Sequence, residues 1–353
     1  MDKIILVGGG TGGHCIPMAS LYKKFSKLNI KCFIITDKRG SVFFKDLNPK
    51  DVIILKVPTK LITRFEQLIN FPIIYIQILM ILINTKSTHI LGFGGYITLP
   101  ILLCAKTINR KISIHEANAV MGKANRILSK YVVNIFTTFN ETKKLNIKFI
   151  QKIHNVGMPL REEFKDCSNK KNKEYVISII GGSQGSSSLS KEVVLAMIKF
   201  KEKIDCELLV YHQCRVEDVT AIKDKYNEFK ISSEVSNYFI DMPQKMFDSN
   251  IIISRAGSST INEIIYTNKP SILIPFPFAI DDHQFYNASF LEKNLCASII
   301  KDSDLSSDLI LNDLLGFYQN SDKINFISKK LKSLIHKNTA SKILNFIQKQ
   351  NVN

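Results

Sequence analysis

Short apolar runs alternate with helix-like patterns along almost the whole chain, and this alternation constrains the fold more than any other feature. The first half carries IILV, CFIIT, VIILKV, HILGF, KISI and VVNIFT. A polar stretch, KDCSNKKNKE (Lys165 to Glu174), interrupts the rhythm and reads as a linker. Alternation then resumes with YVISII, CELLVYH, a strand expected at NYFI, NIIIS and SILIP. Strands that alternate with helices in this way form parallel sheets with crossover helices. Two successive sets predict two doubly wound α/β domains, which 353 residues accommodate. The last segment, NTASKILNFIQKQ from Asn338, has the pattern of a capped helix.

Several strands run directly into glycine turns. The opening KIILVGGGTGGHCIP places five glycines between Gly8 and Gly13, ahead of a helical pattern beginning near His14. Amides freed at a helix N-terminus favour anions, and Gly8-x-Gly10-x-x-Gly13 matches a dinucleotide fingerprint. Asp37, at the end of the next strand, stands where such a fold places its ribose acid. Taken alone, this motif suggests a nicotinamide-dependent oxidoreductase. A second turn, GGSQGSSSLSKE, follows YVISII, and there Ser183 adds a hydroxyl donor. GFGGYITLP (Gly92 to Pro100) is a third. Ligands of doubly wound sheets bind outside the carboxyl ends of the strands. Two such domains would therefore face each other across an interdomain cleft.

Three further polar clusters fall at expected strand ends: HEAN (His115 to Asn118), SRAGSSTINE (Ser254 to Glu263) and IPFPFAIDDHQFYNA (Ile274 to Ala288). Hydroxyl and amide side chains in such loops suit sugar recognition. Glu263, one turn beyond the Gly257–Thr260 donors, is placed to accept from both ribose hydroxyls. DSD (Asp302 to Asp304) has the form of a metal-binding D-x-D, but it precedes a helical run and reads as a helix cap. Seven scattered cysteines form no C-x-x-C pair and no zinc spacing, which indicates reduced thiols and no metal site. Cys15, beside His14, has no supporting partners for a nucleophilic role.

Lysine and arginine number 48 against 31 acids, a formal charge of +17. An excess of this size suits a polyanionic partner, either nucleic acid or an anionic membrane, although biased codon usage produces the same surplus. The first apolar run enters the glycine loop at once, so no export signal is expected. Phe71 to Ile83 is the longest apolar stretch, shorter than the roughly 20 residues needed to span a bilayer. Just before it, Leu61, Phe65, Leu68 and Ile69 recur at helical spacing beside Lys60 and Arg64. That pattern fits a buried amphipathic helix or an interfacial one on anionic lipid.

Taken in order, GGGTGGH, GFGGY, HEAN, GMPLR, GGSQGS, SRAGSSTINE and DDHQFYNA resemble the MurG family of membrane-associated glycosyltransferases over nearly the whole chain. The resemblance implies a GT-B fold, with an acceptor-side domain over 1–160 and a UDP-GlcNAc domain over 161–337. It also implies that the final helix, 338–353, packs back on the first domain. The reaction implied is inverting transfer of N-acetylglucosamine from UDP-GlcNAc to undecaprenyl-diphospho-muramoyl-pentapeptide. Another GT-B UDP-sugar transferase or an epimerase is the nearest alternative.

Residue by residue, the resemblance puts Ser183, Gln184 and Gly185 on the UDP phosphates. Ser258, Ser259, Thr260, Ile261, Asn262 and Glu263 would line the nucleotide, and Ile240 would offer backbone to uracil. Gln284 and His283 would hold the sugar, with Thr11, Gly12, Gly13 and Asn118 approaching from the first domain. Arg161, in GMPLR, would pair with diphosphate oxygens through its fork. His14 is the candidate general base and Glu116 the alternative, although Glu116 also suits a structural role bonding backbone N–H groups. No tightly bound cofactor and no metal site are expected, with a divalent cation at most assisting. The expected partners are the two substrates and an anionic membrane surface, without nucleic acid. The expected location is peripheral, on the cytoplasmic face of the bacterial inner membrane.

Overall fold

The computed structural model describes residues 3–55, 64–169, 173–181 and 187–352. The chain divides into two compact units, Met1–Arg161 with His336–Asn353, and Glu162–Ile335. In the first, the elements are β1 (Lys3–Val7), α1 (Gly12–Lys27), β2 (Lys31–Thr36), β3 (Val52–Ile54), α2 (Arg64–Thr85), β4 (His89–Gly92), α3 (Thr98–Thr107), β5 (Lys111–Glu116), α4 (Lys123–Leu128), β6 (Asn134–Thr137) and β7 (Ile153–Asn155). The second contains β8 (Tyr175–Ile180), α5 (Ser187–Lys201), β9 (Leu208–Gln213), α6 (Val219–Glu228), β10 (Ser232–Ser236), α7 (Met242–Asp248), β11 (Ile251–Ser254), α8 (Ser258–Thr267), β12 (Ser271–Leu273), α9 (His283–Lys293), β13 (Ala297–Ile299), α10 (Ser307–Tyr318) and α11 (Ser321–Leu334). The final helix, α12 (Thr339–Val352), returns to the first unit.

Both sheets are parallel throughout. Their strand orders are β3-β2-β1-β4-β5-β6-β7 and β10-β9-β8-β11-β12-β13. Strand order reverses beside the first strand of each sheet, between β1 and β4 and again between β8 and β11. Connecting loops diverge at such switch points and open a crevice at the strands' carboxyl ends. The first glycine turn and GFGGY flank one switch point; Gly181, after β8, and SRAGSST, at the end of β11, flank the other.

The central strands are apolar on both faces because helices cover both sides. Ile4 to Val7 are fully buried. On one face, α1 contributes Cys15, Met18, Tyr22 and Phe25 at helical spacing, and α12 adds Ile343, Leu344 and Ile347. On the other face, Ile78 and Leu82 of α2 pack with Ile101, Leu102 and Ala105 of α3. Each large apolar side chain buried in this way contributes about 1.5–3 kcal/mol.

Three local expectations change. NYFI is not a strand; the polar SSEVS immediately before it forms β10, parallel to β9. The KDCSNKKNKE segment lies inside the second unit, because the chain passes between units at Arg161 and Glu162. DSD caps nothing: Ser306 accepts from Leu309 N at 3.3 Å to cap α10. No helix among the described residues is long and apolar enough to cross a membrane. Of the amphipathic patch, Lys60 and Leu61 lie outside the described residues. Arg64, Phe65, Leu68 and Ile69 fall in the first two turns of α2, and their side chains are likewise outside them.

Candidate functional site

The glycine turn after β1 is built around Asp37. This buried carboxylate accepts from Gly10 N at 2.9 Å, Gly40 N at 2.8 Å and the Tyr96 hydroxyl at 2.8 Å. Arg39 lies 3.6 Å away. Burial alone would raise its pKa, but the two backbone amides, Tyr96 and Arg39 together hold it below the ordinary carboxylate range. A Cβ on Gly9 would stand 2.6 Å from Asp37 Oδ1, so only glycine permits this approach. The acid that a nicotinamide reading would assign to a ribose is engaged by the glycine turn, by Gly40 and by Tyr96.

The turn delivers α1 with Thr11 at its N-cap in extended geometry and no side-chain cap. As in any first helical turn, the Gly12 and Gly13 amides have no carbonyl behind them. His14 stands next, half-exposed, with Nδ1 3.2 Å from Gly9 O and 3.5 Å from Thr11 Oγ1. A bond to a carbonyl makes Nδ1 the donor, which leaves the lone pair on Nε2. That nitrogen faces the GFGGY turn, where a Cβ on Gly94 would be 3.2 Å away. The two turns meet backbone to backbone: Gly95 has φ +83°, and a Cβ there would lie 3.0 Å from Gly9 O. Cys15 is buried, and burial followed by the Asp37 charge pushes its thiol up to about 12. It is therefore no nucleophile at neutral pH.

Glu116 ends β5 with its acceptor capacity filled. Oε1 receives Asn118 N at 3.0 Å and Asn118 Nδ2 at 3.5 Å; Oε2 receives Gly122 N at 3.0 Å and Asn125 Nδ2 at 2.8 Å. It is the hub that folds the HEAN turn and presents Asn118, which is half-buried. His115, beneath it, donates from Nε2 to Gly157 O at 2.9 Å and stacks on Phe93. Arg161 is half-buried at the last position of the first unit.

In the second unit, Ser183, Gln184 and Gly185 lie outside the described residues. After β11, Gly257 caps α8 in extended geometry, so the first turn of a ten-residue helix starts at Ser258. Ser258 and Glu263 are buried, and Thr260 and Asn262 are half-exposed. Asn262 Nδ2 donates to Ser258 O at 2.8 Å. Ser259 Oγ is buried with no hydrogen-bond partner. Ile261 departs from the nucleotide-lining expectation. It is fully buried in the core with its amide bonded to Gly257 O, because helical periodicity turns that position inward.

The segment between β12 and α9 turns through Asp281 and Asp282, both left-handed at φ 54° and 53°. His283 Nδ1 donates to Ile280 O at 2.8 Å. Gln284 Oε1 accepts from Ala256 N at 3.2 Å and Phe276 N at 3.0 Å. Two N–H donors fix which end of this carboxamide is oxygen. Its nitrogen, a double donor, bonds no partner among the described residues. Asn287 Nδ2 donates to Ala256 O at 3.1 Å. Ile240 is 87% exposed in the turn after β10.

Sequence reasoning did not single out Arg255. This buried guanidinium directly follows β11; its Nη1 lies 2.6 Å from Asp302 Oδ1 and 3.2 Å from both Ile274 O and Pro275 O. The available signal was a cation directly after an apolar strand run, which must find an opposite charge once buried.

Residues 4–137 match the glycosyltransferase family 28 N-terminal domain and 176–344 the glycosyltransferase family 28 C-terminal domain. A UDP-N-acetylglucosamine–N-acetylmuramyl-(pentapeptide) pyrophosphoryl-undecaprenol N-acetylglucosamine transferase of Zymomonas mobilis is 35% identical over 297 residues, covering 81% of this chain and 76% of its own. The protein of the same name from Rickettsia bellii is 31% identical, covering 94% of this chain and 95% of its own. The crystal structure of Acinetobacter baumannii MurG, 22% identical, superposes with a TM-score of 0.80 over 99% of this chain and 100% of its own, which establishes the shared fold. The chain belongs to glycosyltransferase family 28, within the MurG group of N-acetylglucosamine transferases.

Proposed function

We propose that this chain transfers N-acetylglucosamine from UDP-GlcNAc to undecaprenyl-diphospho-muramoyl-pentapeptide, the first unit handling the acceptor and the second the donor. Family membership carries the activity. Amide-bearing turns at both switch points support the division of labour. The acceptor hydroxyl attacks the anomeric carbon from the face opposite UDP. Its proton passes to His14 Nε2, and the C1–O bond breaks with its electron pair leaving on the diphosphate. The Nδ1 bond to Gly9 O holds the tautomer that a base requires. Glu116, whose lone pairs are already taken, organises the Asn118 turn instead. The α8 N-terminus and Arg161 meet the departing charge, the role that preorganised donors fill most effectively. Glu263 takes the ribose, Ile240 the uracil, and the Gln284 carboxamide nitrogen and His283 the sugar hydroxyls. The reading requires no resident metal.

The protein acts at the cytoplasmic face of the bacterial inner membrane, held peripherally. On α2, Ile73, Ile76, Met80 and Ile83 are each about half exposed along one helical face. An apolar helical face on a chain of charge +17 suits an anionic lipid surface.

Transfer of radiolabelled GlcNAc to the lipid-linked muramoyl-pentapeptide tests the reaction and the roles together. His14→Ala is expected to lower kcat by about 10²–10⁴-fold, the range for a lost general base, with little change in donor KM. Glu263→Ala is expected to raise the UDP-GlcNAc KM. A fully active His14→Ala enzyme, or an unchanged KM in Glu263→Ala, contradicts the corresponding assignment.

A further inference from the structure

Arg255 and Asp302 lie outside the residues assigned to substrate, yet Arg255 bonds the same strand ends that hold one of those residues. Arg255 Nη1 reaches three acceptors on two other strand ends: Ile274 O and Pro275 O after β12, and Asp302 Oδ1 after β13. The guanidinium also lies 5.8 Å from the Phe276 ring centroid. The two amides that hold Gln284 Oε1 belong to Ala256, next in chain after Arg255, and Phe276, next after Pro275. The cation and the carboxamide oxygen are thus two rivets through the same pair of strands. With its oxygen bound on that side, the Gln284 nitrogen is turned away from the platform. Asn287 closes the same platform through Ala256 O. The turn entering α9 is strained at Asp281 and Asp282, a backbone that persists only where its surroundings hold it.

We infer that the Arg255–Asp302 ion pair is a positioning device that aims the Gln284 carboxamide nitrogen at the donor sugar, so that sugar recognition depends on it while nucleotide binding does not. The inference rests on the donor-site reading above. The nucleotide residues Ser258 to Glu263 sit on α8, whose cap at Gly257 does not use the pair. Removing Asp302 takes away the carboxylate 2.6 Å from a buried guanidinium, and the loop from Ile274 to Gln284 is expected to shift in response.

The test compares wild type, Asp302→Asn and Asp302→Ala by UDP-GlcNAc KM, by inhibition constant for UDP, and by calorimetric binding of each nucleotide. Asp302→Ala is expected to raise the UDP-GlcNAc KM about tenfold or more, the effect of losing one well-placed hydrogen bond to a ligand. The UDP constant should stay within about twofold, too small a change to represent a lost contact. Asp302→Asn, which keeps the shape and one acceptor, should fall between them and decides the matter if the alanine variant does not fold. A parallel rise in both constants overturns the inference in favour of a merely structural pair, and so does no change in either. Wild-type protein that binds neither nucleotide overturns the donor-site reading itself, and the inference with it.

Discussion

At the scale of single residues, what a side chain is bonded to separates chemistry from scaffolding more sharply than its residue type. Asp37 and Glu116 are both acids in glycine-rich surroundings, and both are occupied by backbone amides of nearby turns. Asp37 also has a pH signature. Its folded pKa lies below its unfolded value, so its stabilisation is complete above the unfolded pKa, about 4, and is lost as pH falls through the lower folded value. Unfolding free energy measured from about pH 6 down to about pH 3 should show that decline in wild type and a flatter limb in Asp37→Asn. Asp37→Ala should cost about 1–3 kcal/mol at neutral pH by leaving buried amides unpaired. Parallel acid limbs in wild type and Asp37→Asn would remove Asp37 from this role.

At the scale of elements, the strands that were read incorrectly or overlooked share one property. β7, β10 and β13 all lie at sheet edges. Interior strands such as β1, β8 and β11 are covered on both faces and read as unbroken apolar runs. An edge strand is held mainly by backbone pairing to one neighbour, so a sequence such as SSEVS carries no hydrophobic signal. The turns at the strand ends were legible because glycine and hydroxyl residues are required there locally. The Arg255–Asp302 pair spans 47 positions, and no local pattern announces it. On α2, the buried Ile78 and Leu82 and the exposed Ile73, Ile76, Met80 and Ile83 show a helix apolar all round and only half covered. Ile76→Asp with Met80→Asp should weaken sedimentation with phosphatidylglycerol vesicles while leaving the thermal midpoint near wild type, because neither side chain is buried. Undiminished vesicle binding at low salt would remove this face from the membrane contact.

At the scale of the whole molecule, the two units have separate sheets and separate cores, although the chain passes between them twice. The first unit's core includes Ile343, Leu344 and Ile347 of α12, so residues from both ends of the sequence stabilise the first unit. The residues proposed for the nucleoside, Ile240 and Ser258 to Glu263, belong to the second unit. A ligand that binds only the native state stabilises whichever unit must remain folded to hold it, by about 2.7 kcal/mol at one hundred times its Kd. Of the residues assigned to UDP without the sugar, Arg161 alone belongs to the first unit, at its last position, so the stabilisation by UDP should fall mainly on the second. In scanning calorimetry, UDP should raise the component of the endotherm assigned to Glu162–Ile335 and leave the other in place. The components can be assigned by Asp37→Ala, which weakens the first unit, and by Asp302→Asn, which weakens the second. Equal displacement of both components by UDP would show that the nucleotide is bound by the two units together, and the division of donor and acceptor between them would have to be redrawn.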